Sequence, residues 1–200
     1  LPTVMIEPST VADMPWPGLI FARYLDEKMP GTPLDRDSIG HMIESSPPLL
    51  KDFLSLEAQL QPNGFDMTVR EVSRMTNPGA VGYDDADRVL SETKTLGFDQ
   101  DGWVQLEPGP YLILFNEVVN LPLDVMALGR PRSSLLRSGV GVHTAVWDAG
   151  YHGRSQALLV VYNHDGYRVQ RDARLMQLVF FQMESAASRG YQGRFQSENI

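Results

Sequence analysis

The chain contains no cysteine among its 200 residues. This absence excludes disulfide bonds, thiolate nucleophiles and metal sites with thiolate ligands. It also excludes the zinc-dependent nucleobase deaminases, whose zinc needs cysteine ligands. No apolar run approaches the roughly 20 residues of a membrane helix, and the opening LPTVMIEPST lacks the basic and apolar regions of a signal peptide. We therefore expect a cytoplasmic protein with no membrane partner.

Lysine is absent from the basic part of the chain. The net charge is −8, which argues against a nucleic-acid partner because phosphate neutralisation supplies most of that affinity. From residue 129 onward, however, there are nine arginines, no lysine and five acids. Guanidinium groups match the oxygens of phosphate and carboxylate. This part of the chain favours a small polyanionic ligand, unless its arginines only cover solvent-facing strands.

The organisation predicted from composition is an appendage and one domain. Residues 1–34 are rich in proline and form the predicted N-terminal appendage, of unknown role, while residues 35–200 form the predicted domain. A capping residue and apolar residues at helical spacing predict a helix from Asp35 that Pro47 and Pro48 end. A second short helix is predicted at residues 49–56.

After Pro62, short runs of β-branched and aromatic residues alternate with turn residues, a pattern typical of an all-β sandwich or barrel. Residues 83–101 are polar and acidic and predict a long surface loop. Residues 131–139 begin with proline and end with glycine, which predicts a two-turn helix interrupting the sheet. The predicted strands are residues 65–72, 103–106, 111–116, 125–129, 141–145, 156–162, 167–170 and 174–183.

Five segments resemble, in order, the sequence motifs of the dUTPase and dCTP deaminase family. They are residues 61–69 (QPNGFDMTV), 129–139 (GRPRSSLLRSG), 145–153 (AVWDAGYHG), 171–180 (RDARLMQLVF) and 189–196 (RGYQGRFQ). The combination is most similar to archaeal-type dUTPases. The resemblance implies a mainly β, distorted jelly-roll-like barrel, a β-clip, with a few short helices. It also implies a homotrimer whose active sites combine motifs from neighbouring subunits.

The activity that the resemblance implies is hydrolysis of dUTP to dUMP and pyrophosphate, with Mg²⁺ bridging the triphosphate oxygens. Asp148 matches the family's base for the attacking water, and Asp66 matches a residue that contacts the metal indirectly through water. Tyr151 matches the ring beneath the deoxyribose, and Phe195 a ring that closes over the base. The matched phosphate ligands are Arg132, Ser133, Ser134, Arg137, Gln177 and Arg194.

Each of these residues has a purely structural alternative. Asp148 could cap a turn, and the two serines of the second motif could cap their helix. Asp66 could bond backbone N–H groups at the start of a strand. Tyr151 and Phe195 could be packing residues.

The family also contains dCTP deaminases, so a mono- or bifunctional deaminase is the first rival. Deaminases carry a glutamate two residues before the Tyr-Asn or Phe-Asn that ends the strand after the third motif. In QALLVVYN (156–163) this position is Val160, and no acid occurs between Ala149 and His164. Valine cannot shuttle a proton, so the sequence disfavours deamination. A second rival is a non-catalytic nucleotide-sensing protein that uses residues 1–34 and 83–101 as interaction surfaces.

Overall fold

The computed structural model describes residues 31–200 of the chain, so most of the predicted appendage lies outside the described residues. The described part contains thirteen strands and three short α-helices. The helices are α1 (Arg36–Glu44), α2 (Leu56–Gln59) and α3 (Ser133–Arg137). The strands are β1 (Leu50–Lys51), β2 (Leu60–Gln61), β3 (Gly64–Met75), β4 (Thr93–Thr95), β5 (Trp103–Leu106), β6 (Gly109–Phe115), β7 (Val118–Asn120), β8 (Val125–Pro131), β9 (Val140–His143), β10 (His152–Gly153), β11 (Gln156–Val161), β12 (Tyr167–Gln170) and β13 (Arg174–Gln182).

The main sheet has the order β8-β13-β3-β6-β11-β9, and β2 and β4 pair with β3. Its two outer strands, β8 and β9, contact each other, so the sheet is nearly closed and barrel-like. Two small sheets, β1-β7-β10 and β12-β5, complete the fold. Buried and half-exposed side chains alternate along β11 and most of β13, as expected for strands with one face on a core. The prediction of a mainly β, barrel-like fold is confirmed.

Helix α1 forms where the sequence predicts it. The Asp35 carboxylate accepts a hydrogen bond from the Ser38 backbone N–H at 2.8 Å and so caps the first turn. Ile39 and Ile43, one turn apart, are the buried residues of this helix. No helix among residues 31–200 is both long and apolar enough to cross a membrane.

The predicted helix at residues 49–56 is wrong. Leu49 and Leu50 are both buried, and Leu50 pairs with Val119 in the small sheet of β1, β7 and β10. Helix α2 begins only at Leu56, where the Ser55 hydroxyl caps the Ala58 N–H. Pairing with a distant strand therefore overrides the local helical pattern of the two leucines.

The predicted loop at residues 83–101 is largely exposed, as expected, but it is not free of regular structure. Asp85–Asp87 form a short 3₁₀ turn, and β4 pairs with the far end of β3. The three residues of β4 are polar and exposed, so no hydrophobic alternation marks them as a strand.

The segment from Val125 to Trp147, called the hairpin below, has the second motif at one end and the third at the other. β8 leads to α3, which forms the tip of the hairpin, and β9 follows α3. The chain then returns to the start of β8, where Trp147 pairs with Ala127. Arg132, just before α3, is five residues beyond Ala127, which corresponds to about 16 Å of strand at roughly 3.3 Å per residue. Asp148 follows Trp147 and therefore lies at the end opposite to α3.

Candidate active site

A tight turn presents Asp148 and Tyr151 at the base of this hairpin. The Asp148 carbonyl accepts a hydrogen bond from the Tyr151 N–H at 3.1 Å, and Gly150 has φ +80°. A Cβ at Gly150 would lie 2.6 Å from the Gly190 Cα, so the turn needs glycine both for its φ and for the close approach of the C-terminal segment. The third motif thus places its acid and its aromatic ring at fixed positions.

A cavity of about 190 Å³ opens beside this turn. The cavity has room for a ring-sized group. Its walls are formed by Ala145, Val146, Trp147, Asp148, Tyr151, Ser155, Gln156, Tyr191, Phe195 and Glu198.

The Asp148 side chain lines this cavity and is exposed. Its carboxylate has no hydrogen bond or ion pair with any residue in the described part of the chain. It therefore does not cap the turn, which was the structural alternative for this residue. An exposed, unbonded carboxylate is available to hold a water molecule.

Tyr151 is buried, and its ring packs edge-to-face against Tyr191 with the ring centroids 5.8 Å apart. Its hydroxyl donates a hydrogen bond to Glu198 Oε1 at 2.8 Å. Burial, together with this carboxylate, raises the pKa of Tyr151, and burial raises the pKa of Glu198. The tyrosine therefore stays protonated and its ring is fixed from two sides.

The C-terminal segment, residues 190–199, forms one wall of the cavity by bonding along the hairpin. Tyr191 N–H donates to the Ala149 carbonyl at 2.8 Å, Ser197 N–H to the His152 carbonyl at 2.7 Å, and the Glu198 carbonyl accepts from Arg154 N–H at 2.9 Å. Phe195 is half-buried at the cavity, whereas Arg194 points to solvent. The fifth motif thus reaches the third within one chain.

A second cluster lies near α3, around the buried side chain of Asp66. Its carboxylate pairs with Arg132 at 3.3 Å and with Arg174 at 3.4 Å. Burial raises the pKa of Asp66, and the two guanidinium groups oppose this shift. A β-bulge between Arg174 and Met176 shifts the register of β13 against β3 next to this pair of charges. The carboxylate therefore orients two arginines, rather than bonding backbone N–H groups.

The remaining predicted phosphate ligands surround this cluster. Arg132 is the N-cap residue of α3, and its side chain forms no capping hydrogen bond. The side chains of Ser133 and Ser134 are exposed, and their hydroxyls do not cap the helix. Arg137 Nη1 donates to Ser133 Oγ at 3.5 Å. Gln177 faces Asp66 across the sheet, and a Cβ at Gly64 would lie 2.9 Å from Gln177 Nε2. Glycine in the first motif therefore makes room for this glutamine.

The structure thus divides the predicted residues into two groups. Asp148, Tyr151 and Phe195 meet at the cavity, and Arg132, Gln177 and Asp66 meet at the hairpin tip with the serines and Arg137 nearby. Seven cavity residues were not predicted from the sequence, and four of them lie inside a recognised motif. Those in motifs are Ala145, Val146, Trp147 and Tyr191, and the other three are Ser155, Gln156 and Glu198.

The residues present offer no preformed cage for a divalent cation. Across residues 31–200, no three histidine or acidic side chains are grouped closely enough to hold a metal ion. The one predicted metal-associated residue, Asp66, already faces two guanidinium groups. A cation placed on its carboxylate would meet their positive charge.

Comparison with known proteins extends these observations. The model of the dCTP deaminase-like protein family matches residues 34–183. The chain is 45% identical over 169 residues to a probable deoxyuridine 5'-triphosphate nucleotidohydrolase of Methanococcoides burtonii, covering 84% of this chain and 99% of that protein. It is 46% identical over 167 residues to the protein of the same name from Archaeoglobus fulgidus, covering 84% and 97%.

The chain belongs to the dCTP deaminase-like family. The resemblance inferred from the five motifs is confirmed. The fold of this family member is similar to that of the crystal structure of 2'-deoxycytidine 5'-triphosphate deaminase from Agrobacterium tumefaciens, with a TM-score of 0.60 and 23% identity. The match covers 77% of this chain but only 49% of that structure, so the chain spans about half its length.

In this dCTP deaminase-like chain, the side of β11 that is not buried carries no acid. Gln156 is exposed, and Leu158 and Val160 are half-exposed, on the face opposite to the buried Leu159. Val160 pairs with Gly141 of β9 and is therefore an ordinary ladder residue. Among the described residues that line the cavity, the acids are Asp148 and Glu198.

Proposed function

We propose that this protein hydrolyses dUTP to dUMP and pyrophosphate. The observation that carries the proposal is the unbonded Asp148 carboxylate at a cavity that the buried residue Tyr151 also lines. The two archaeal relatives named probable deoxyuridine 5'-triphosphate nucleotidohydrolases support it. The lack of an acid on the open face of β11 favours this reaction over deamination.

In the proposed reaction, Asp148 orients a water molecule and accepts its proton. The water oxygen bonds to the α-phosphorus as the bond to the oxygen bridging the α- and β-phosphates breaks. The electrons of that bond leave with pyrophosphate, and dUMP keeps the new oxygen. Because Asp148 forms no other bond in the described part of the chain, no internal partner has to be displaced before it holds the water.

The cavity holds the nucleoside end of this substrate. The Tyr151 ring lies beneath the deoxyribose and leaves no space for a 2'-hydroxyl, so it excludes ribonucleotides. Phe195, half-buried on the C-terminal segment, covers the base. Arg194 is one residue away and exposed, from where its guanidinium binds the phosphates.

The triphosphate binds the cluster at the hairpin tip. Arg132, held by Asp66, and Gln177 provide donors, and the exposed side chains of Ser133, Ser134 and Arg137 contact phosphate oxygens. Mg²⁺ would be held mainly by triphosphate oxygens and water, with Asp66 contacting it only through water, and it would neutralise charge on the phosphates.

The two halves of this site come from different subunits. Within one chain, Asp148 and Arg132 stand at opposite ends of the hairpin, about 16 Å or more apart along the strand. With its α-phosphate beside Asp148, a triphosphate would have to extend along the whole hairpin to reach the Arg132 of the same chain. A homotrimer, in which the tip of one subunit meets the cavity of the next, resolves this. The catalytic domain is residues 35–200, and residues 1–34 are an appendage.

Product analysis tests the proposal. Purified protein is incubated with Mg²⁺ and either dUTP or dCTP, and bases and phosphates are identified. We expect dUMP and pyrophosphate from dUTP, with dCTP unchanged. Uracil nucleotides from dCTP would establish a deaminase, and inertness toward both would favour a nucleotide-sensing protein.

The matched variant is Asp148→Asn, which keeps the side-chain shape but removes the base. It should abolish turnover and leave dUTP binding within about twofold of the wild type, since only the transition state needs proton transfer. Turnover at the wild-type rate would remove Asp148 from this role.

A further inference from the structure

Arg154 is a buried charged residue outside the five motifs, and it joins the C-terminal segment to the rest of the fold. It directly follows β10, and 9% of its surface is exposed. Its Nη2 pairs with Asp52 Oδ2 at 2.7 Å, and its Nε donates to the Asn199 carbonyl at 3.2 Å. Its carbonyl accepts a hydrogen bond from Asn199 Nδ2 at 2.9 Å, and its N–H donates to the Glu198 carbonyl. Arg154 therefore holds two consecutive residues of the C-terminal segment.

The small sheet β1-β7-β10 brings Asp52 to this arginine, although the two residues are 102 positions apart in the chain. β1 and β10 both run antiparallel to β7, and Leu50 and Gly153 pair with the same residue, Val119. Asp52 follows β1 and Arg154 follows β10, so both leave the sheet at the same end. A buried guanidinium group needs a partner of opposite charge, and the register of this sheet provides one.

Backbone strain is concentrated at the same junction. Among residues 31–200, four non-glycine residues have a positive φ, and three of them are Asp52 (58°), Ser197 (60°) and Asn199 (57°). L residues rarely adopt this left-handed conformation and keep it only where the surrounding contacts impose it. Such residues cluster at functional sites. The bonds of Arg154 to Asp52 and Asn199 provide these contacts at two of the three positions.

The junction fixes Glu198, the residue that holds the Tyr151 ring. The Tyr151 hydroxyl donates a hydrogen bond to Glu198 Oε1 at 2.8 Å. A Cβ at Gly153 would lie 2.8 Å from the Tyr151 hydroxyl and 3.2 Å from Glu198 Cγ, so the glycine before Arg154 leaves room for this pair. Because Arg154 holds the carbonyls of both Glu198 and Asn199, the Glu198 carboxylate keeps its place beside the tyrosine.

We propose that Arg154 is a positioning residue for the nucleoside end of the substrate. Fixed by Asp52, it holds the backbone of the C-terminal segment, and Glu198 in turn holds the ring that we place beneath the deoxyribose. Arg154 acts through these residues and does not itself line the cavity. This inference rests on the proposed function. It adds to the site a determinant of sugar selectivity that none of the five motifs contains.

The test compares kcat/KM for dUTP and UTP in the wild type and in Arg154→Met, which keeps a long unbranched side chain but has no donor. We expect the dUTP/UTP ratio to fall about fivefold, the effect of one lost hydrogen bond on the ring. The control is Arg168→Met, which removes another arginine that faces an aspartate, on the separate β5–β12 sheet. It should keep the wild-type ratio.

A double-mutant cycle distinguishes positioning from a general loss of stability. In Glu198→Ala the Tyr151 hydroxyl has already lost its acceptor, so adding Arg154→Met should lower the ratio no further. Asp52→Asn removes only the exposed partner of the arginine and should lower the ratio about twofold. This milder variant keeps the test decisive if the methionine variant fails to fold.

A wild-type dUTP/UTP ratio in both Arg154→Met and Asp52→Asn would overturn the inference. Equal effects of Arg154→Met in the presence and absence of the Glu198 carboxylate would overturn it as well. Either result leaves the proposed function intact if the wild type hydrolyses dUTP. A wild type that hydrolyses neither dUTP nor UTP would overturn the proposed function, and this inference with it.

Discussion

At the scale of single residues, selectivity for the sugar depends on how firmly one ring is held. Tyr151 is fixed by its hydrogen bond to Glu198 and by edge-to-face packing against Tyr191. A ring held from two sides cannot move aside for an extra hydroxyl, so exclusion by shape is effective only because of these contacts. Glu198 belongs to no recognised motif, which is why the sequence predicted the ring but not its support.

Replacing the ring tests this mechanism. Tyr151→Ala should reduce the preference for dUTP over UTP by about tenfold or more, because a steric barrier of this kind contributes roughly 1–3 kcal/mol. The measurement is the ratio of kcat/KM for the two substrates. Tyr151→Phe keeps the ring and its packing on Tyr191 but loses the hydrogen bond to Glu198, so it should lose less of the preference than the alanine variant. An alanine variant as selective as the wild type would place recognition of the sugar elsewhere.

Another single residue stabilises the fold beneath the site. Glu117 is fully buried, and its carboxylate accepts hydrogen bonds from Gln59 Nε2 at 2.6 Å, Thr68 Oγ1 at 2.5 Å and the Thr68 N–H at 3.0 Å. Gln59 Nε2 also donates to the Asp66 carbonyl at 2.9 Å. Burial raises the pKa of Glu117, although these donors oppose the shift. The group therefore joins α2 to the strand that carries Asp66.

Glu117→Gln should destabilise the protein by about 1–3 kcal/mol, because an amide N–H₂ must then face groups that are themselves donors. Glu107→Gln, at an exposed glutamate, is the control and should change little. The pKa of Glu117 is higher in the folded protein than in the unfolded chain. The wild type therefore becomes more stable as the pH falls from the folded-state pKa of Glu117 toward its unfolded-state pKa. The deficit of the glutamine variant should therefore be larger at pH 5 than at pH 8 in urea unfolding. An equal deficit at both pH values would show that Glu117 does not titrate in this way.

At the scale of elements, local patterns were sufficient for most strands and for α1. The alternation of β11 and the capping aspartate of α1 are properties of neighbouring residues, so the sequence alone shows them. The bulge in β13 is different, because it is visible only as two consecutive buried residues, Leu175 and Met176, on a strand that otherwise alternates. The path of residues 190–199 has no local pattern, since it depends on backbone bonds to the distant 149–154 segment.

The packing of the C-terminal segment can be tested at Gly150. Gly150→Ala adds a Cβ that would clash with Gly190. The alanine would also have to adopt the positive φ of this position, which costs an L residue about 1–2 kcal/mol. We expect the segment to detach more often, so that trypsin cleaves after Arg189 and Arg194 about tenfold faster. Gly97→Ala is the control, since its Cβ would meet no atom within 4 Å. Equal cleavage rates in the two variants would mean that this turn does not hold the segment.

At the scale of the whole molecule, the five motifs identified the chemical groups but not their arrangement in space. The second and third motifs are close in sequence, yet the hairpin of β8 and β9 holds them at opposite ends. The fifth motif is remote in sequence, yet it contacts the third directly. Such distances follow from strand pairing over the whole barrel, which a single sequence does not specify. The trimer stays a prediction from family resemblance, and the separation of Asp148 and Arg132 along the hairpin supports it.

Mixed assemblies provide the corresponding test. Asp148→Asn lacks the base, and Arg137→Ala lacks an exposed phosphate ligand on α3. Each should be nearly inactive alone, since a lost charge-assisted contact costs roughly 1.5–3 kcal/mol. An equal mixture of the two variants is unfolded and refolded so that mixed trimers form. If each site combines the cavity of one subunit with the α3 of another, some sites of these trimers are intact. They are the sites whose cavity comes from Arg137→Ala and whose α3 comes from Asp148→Asn. Random assembly makes that combination in about one quarter of the sites, so about a quarter of the wild-type activity should return. Sites formed within one chain would never combine the two intact halves, and the mixture would then remain as inactive as its components.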